Sequence, residues 1–83
     1  MKTYMVHFRR NAYTQISPDV IKKEQERMGE LMRENIIQQV YMNKNMDNLW
    51  MVFKIDNEEI IREIIQTLPM CKDLYFGTNE LMG

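Results

Sequence analysis

Apolar positions along this chain alternate between two rhythms, every second residue and every third or fourth, and the switches divide it into strands and helices. Thr3-Tyr4-Met5-Val6-His7-Phe8-Arg9 is rich in β-formers and stops where Asn11 and the polar run to Ser17 begin, which predicts strand 1. Ser17-Pro18-Asp19 then supplies a serine N-cap, a proline at the first helical position and an acid in the first turn. Val20, Ile21, Met28, Leu31 and Met32 follow at helical spacing, so helix 1 is expected to run to about Asn35. Ile36 to Met42 carries no helical stripe, and the polar turn Asn43 to Asn48 separates it from Leu49 to Ile55, which predicts a hairpin of strands 2 and 3. Asp56-Asn57-Glu58-Glu59 resembles a capping box, Ile60, Ile61, Ile64, Ile65 and Leu68 make the buried stripe of helix 2, and Pro69 ends it. Strand 4 is expected over Asp73 to Thr78, with Asn79 to Gly83 as a tail.

The order β-α-β-β-α-β gives an α+β domain with a four-stranded antiparallel sheet and both helices on one face, the ferredoxin-like arrangement. At 83 residues the chain reads as one domain, 1–83, since two separate cores would each be too small to offset chain entropy.

Alternation then sorts the strands into two faces. Tyr4, Val6, Phe8, Gln38, Val40, Met42, Leu49, Met51, Phe53, Ile55, Leu74 and Phe76 are expected to meet the helices. The other face carries Met5, His7, Arg9, Ile37, Gln39, Tyr41, Trp50, Val52, Lys54, Asp73 and Tyr75. That set is too apolar for open water and too polar for a dry core, so it is expected to meet a partner, a second copy in a homodimer or larger homo-oligomer, or a small-molecule ligand.

Composition narrows the function classes. Eleven basic and twelve acidic residues leave a formal charge of −1, without a basic run longer than two, which argues against nucleic acid as partner. The opening residues lack a secretory apolar region and no segment is long enough to span a membrane, so a cytoplasmic protein is expected, without a membrane partner. Cys71 is the one cysteine and His7 the one histidine, so neither an intramolecular disulfide nor a protein-built metal site is expected. Nine methionines suit an irregular core or an adaptable apolar pocket.

Over nearly its whole length the pattern resembles the muconolactone isomerase family of dimeric α+β barrels. Glu24-Gln25-Glu26-Arg27-Met28-Gly29-Glu30-Leu31 resembles that family's E-x-x-R-x-x-E-L stretch, Asn48 stands ahead of strand 3 where the family tends to have Ala-Asn, and Leu68-Pro69-Met70 resembles its Leu-Pro-Leu. Strand 2 keeps an aromatic in Gln39-Val40-Tyr41-Met42 without the flanking charges common in the family, and Lys72-Asp73 stands in place of its Pro-aromatic pair. The resemblance implies a homodimer and a cofactor-independent proton shift in a small unsaturated lactone.

Such a shift needs a base that takes a proton α to a carbonyl and an acid that returns it. Glu24, one helical turn from both Ile21 and Met28, is the first candidate, because a carboxylate beside apolar groups suits a shuttling base; the alternative is an edge glutamate paired with Arg27 or a strand residue. His7 on the mixed face suits an acid, base or oxyanion partner, or a hydrogen bond at a dimer seam. Arg9 on that face can bind a carboxylate in a two-pronged geometry in place of the cations missing from strand 2. Gln39, Tyr41, Trp50 and Tyr75 can wall a pocket for a flat ligand, or pack at an interface. Cys71, after a helix C-terminus, is not expected to be a nucleophile. The second function class is a non-catalytic homodimer that binds a small apolar ligand or serves as an assembly module. Heme-handling or monooxygenase barrels are a third, supported only by His7.

Overall fold

The computed structural model describes residues 2–10 and 15–82. Its elements are β1 (Lys2–Arg9), α1 (Pro18–Arg33), β2 (Ile37–Met42), β3 (Asn48–Ile55), α2 (Glu58–Gln66) and β4 (Tyr75–Leu81), in the expected β-α-β-β-α-β order. The strands form one antiparallel sheet in the order β2-β3-β1-β4, a ferredoxin-like α+β fold.

Local chemistry explains where the helices begin and end. Ser17 caps α1 by accepting from the Val20 N–H at 3.3 Å, and Pro18 occupies the first helical position, where its missing N–H costs nothing. Asn35 ends the helix in the left-handed region at φ 61°, with Asn35 N–H donating to the Met32 carbonyl and Ile36 N–H to the Leu31 carbonyl. Those two bonds close the helix as a Schellman motif. In α2 the cap is Asn57, whose side chain accepts from Ile60 N–H at 3.2 Å. The helix closes at Thr67, before Pro69, and the Thr67 hydroxyl donates to the Ile64 carbonyl.

Val6 and Phe8 of β1 and Met51 and Phe53 of β3 are fully buried against Leu31 of α1, Ile61 and Ile65 of α2, and Leu68. The sheet thus buries the expected faces of its two central strands. Three expectations need correction.

Simple alternation predicts Ile37 on the mixed face, yet it pairs with Phe53 and is 2% exposed. A β-bulge between Ile37 and Gln39 is the cause: Gln39 pairs with Val52 and Val40 with Met51, so Gln38 is an extra residue that resets the alternation. Gln38 accordingly leaves the core face and is exposed, donating to the Asn35 carbonyl.

Strand 4 begins later and runs further than expected. Tight turns after α2, with Cys71 and Lys72 N–H groups donating to the Leu68 carbonyl and Leu74 N–H to that of Cys71, use up Asp73 and Leu74. β1 extends back to Lys2 and offers partners to Asn79, Glu80 and Leu81, which the sequence reading left as a tail.

The stripe of α1 is only partly buried. Leu31 is fully enclosed, whereas Ile21 and Met32 are 38% and 44% exposed. They border a cleft instead of meeting the sheet.

Candidate functional site

That cleft lies between α1 and the β2–β3 side of the sheet, with a volume of about 660 Å³. Six of the nine methionines border it: Met28 and Met32 from α1, Met42 from β2, Met46 from the β2–β3 turn, Met51 from β3, and Met70 from the segment after α2. Val40, Leu49, Ile16 and Ile21 complete the apolar wall, and Arg10, Glu24, Gln25 and Gly29 also line it. The volume is that of an ordinary small-molecule site, and thioether walls can adjust to a ligand's outline.

Glu24 is the one buried charged residue among those described, at 6% exposure. Its place on α1, a turn from Ile21 and Met28, carries the carboxylate inward, and the segment after α2 receives it. Met70 N–H donates to Oε1 at 3.2 Å and the Cys71 thiol to Oε2 at 3.1 Å. Arg27, the alternative partner, turns instead to Glu30 and to the Thr67 hydroxyl, both at 2.9 Å. Glu24 is thus a buried acceptor on the wall of an apolar cleft, as its sequence position indicated.

The Cys71 thiol is fully buried, and burial first, then the charge and hydrogen bond of Glu24, push its pKa far up. This opposes a nucleophilic role and gives stability a pH dependence. The native state holds the thiol proton more tightly than the unfolded chain does, so the contribution is complete below the ordinary thiol range and is lost as pH rises through it. Between pH 8 and 10 the wild type is expected to lose stability faster than Cys71→Ala, by up to about 1.4 kcal/mol per pH unit above about pH 8.5. Paired thermal or urea melts across that range measure the difference.

The other candidates share the far side of the sheet. Alternation in β1 sends Val6 and Phe8 toward the helices and His7 away, so His7 and Glu24 do not meet within one chain. His7 stacks on Trp50 with ring centroids 5.0 Å apart and planes 5° from parallel. Its Nε2 lies 2.7 Å from Asn48 Oδ1. The Asn48 amide donates in turn to Asp47 Oδ1 at 3.0 Å, which leaves Asn48 Oδ1 as acceptor and places the His7 proton on Nε2. Asn43 ties this turn together, donating to Asp47 and accepting from the Asp47 and Asn48 N–H groups. The Asn43 bond foremost, with those of Asn48 and the Asp47 backbone and the charge of Arg9, holds the Asp47 carboxyl below its usual range against an opposing effect of burial.

Around this pair, Tyr41 lies across from Trp50 and donates to Gln39, Arg9 pairs in register with both Asn48 and Tyr75, and Tyr75 is 90% exposed. Gln39, Tyr41, Trp50, His7, Arg9 and Tyr75 therefore form one open surface, distinct from the cleft. Sequence reasoning missed Arg10 and Gln25 as lining residues. The signal within reach was the methionine content, whose concentration at one place needs the fold to be seen.

Among the described residues, no group of three or more His, Cys, Asp or Glu side chains is placed to hold a metal ion, and no helix is long and apolar enough to cross a membrane. Compared with known proteins, the chain matches no family model and no curated sequence.

Proposed function

We propose that the cleft binds a small unsaturated lactone or related metabolite and that Glu24 moves a proton within it, without a cofactor. The observation that carries this reading is a single buried carboxylate set in the wall of an apolar cleft. In the proposed step Glu24 takes the proton from the carbon α to the carbonyl, and the electron pair left behind is delocalised through the conjugated system as an enolate. The protonated carboxyl then delivers a proton at the far carbon, and where that proton has first exchanged with D2O the product carries deuterium; one proton leaves and one arrives, so no atom is gained or lost. One group serving as both acid and base suits a site with one buried carboxylate among the described residues. Arg10, which lines the cleft, takes the role of carboxylate anchor that the sequence assigned to Arg9.

The test is turnover and deuterium uptake from D2O into unsaturated γ-lactones, with and without a carboxylate substituent, by the wild type and Glu24→Gln. The methionine walls favour a second reading, a ligand-binding protein without chemistry. That reading expects binding by both proteins and exchange by neither.

Self-association belongs to the same proposal. The middle rows of the open face, Tyr41–Trp50–His7 and Gln39–Val52–Met5–Asn79, are uncharged, while Arg9 and Lys54 stand exposed toward its two ends. Four strands of this length cover roughly 500 Å² in plan, about 1,000 Å² over two copies, close to the lower bound of specific interfaces. We expect twice the chain mass in light scattering. Val52→Asp, which sets a carboxylate at the centre of the face, should give the monomer while leaving the helix-side core intact; a wild-type monomer refutes the pairing.

A further inference from the structure

The segment after α2 grips Glu24 at two consecutive residues. Met70 supplies its backbone N–H to one carboxylate oxygen and Cys71 its thiol to the other, at 3.2 and 3.1 Å. A carboxylate held by both oxygens can no longer rotate about its terminal bond, so the lone pairs not used by these donors keep one direction. The segment is itself fixed, because Cys71 N–H donates to the Leu68 carbonyl and both Leu68 and Cys71 are fully enclosed in the core. The grip therefore sits on a turn that is itself packed into the core.

We propose that Cys71 is a positioning residue, whose thiol fixes the carboxylate plane of Glu24 in the cleft wall. The proposal rests on the reading of Glu24 as the proton-transferring group for its consequence in turnover, and on the geometry alone for the hydrogen bond. A thiol is a weak donor to neutral acceptors, and a charged acceptor strengthens it. Burial and the adjacent carboxylate keep the sulfur protonated, so it remains a donor throughout the neutral range. The thiol does not touch the substrate and forms no bond with it. It also undergoes no change of oxidation state in the proposed step.

With one cysteine in the chain, the infrared S–H stretching band belongs to Cys71 alone, which makes the bond directly readable. In the wild type the band should lie at the low frequency of a thiol bonded to a carboxylate, and in Glu24→Gln, which keeps the side-chain volume, it should move up. An unmoved band overturns the proposal whatever the turnover.

The second measurement is the split between kcat and KM on any lactone that the wild type isomerises. Cys71→Ala should lower kcat roughly 10- to 100-fold with KM changed by less than about threefold, since misplacing a catalytic group by an ångström has effects of that order. Cys71→Ser, which restores a donor, should recover most of the loss. Wild-type kcat in Cys71→Ala overturns the positioning role, and an equal loss in the alanine and serine variants with a lowered melting temperature assigns Cys71 to packing and overturns it too. If the wild type isomerises no lactone, the proposed reaction falls, and the S–H band alone then decides whether Cys71 fixes the carboxylate.

Discussion

Glu24→Gln is expected to abolish exchange between a bound lactone and solvent, lowering kcat by about 10²- to 10⁴-fold, the range over which a positioned acid or base contributes. The substitution keeps shape and removes the group that can accept a proton. Its amide oxygen can still receive the Met70 N–H, and its NH2 can donate to the Cys71 sulfur where the thiol had donated to the carboxylate, so the fold should hold. Ligand affinity should change little, because the cleft is bounded mainly by methionine and other apolar side chains that the variant leaves in place. Loss of kcat with binding retained is the signature of a group that acts in the transition state. Calorimetric binding beside turnover separates the two quantities, and exchange by Glu24→Gln at the wild-type rate would remove Glu24 from the mechanism.

Phe53→Ala should unfold much of the population. Phe53 is fully buried on β3, paired with Tyr4 on one side and Ile37 on the other. Truncating such a side chain costs about 3–5 kcal/mol through lost transfer energy and the cavity left behind. A chain of this length is stable by only about 4–12 kcal/mol. The melting temperature should fall by roughly 15 °C or more. Urea denaturation of the two proteins checks it, and a loss below about 1 kcal/mol would mean that the centre of the sheet is not packed as described.

The parts of this fold legible in the sequence are those where one local rule acts alone. The isoleucines of α2 recur at a helical period with nothing opposing it, and the faces of β1 and β3 follow from simple alternation. The inward placement of Glu24 was readable for the same reason, as a position on a helical stripe. Ile37 was misplaced because a bulge is a matter of pairing between strands, and no residue type at Gln38 announces it. The exposure of Ile21 and Met32 was hidden too, since periodicity shows which face a helix turns inward but not how closely it approaches the sheet. Arg10 lies just past the end of β1, where alternation no longer assigns a face.

The extra residue at Gln38 also bears on how this protein can change over evolutionary time. Removing it would leave Ile37 paired with Phe53, Gln39 with Val52 and Val40 with Met51 in a regular ladder, so one deletion there would straighten the strand and keep both the wall of the site and the open surface. Substitutions in β2 alter one side chain at a time, and a loss of length at the bulge changes the bend and twist of the strand while both surfaces stay in place. Descendants of this chain can therefore lose one residue at Gln38 and keep every pairing from Gln39 to Met42, so the spacing between Asn35 and Asn43 can shorten by one where the order of faces cannot change.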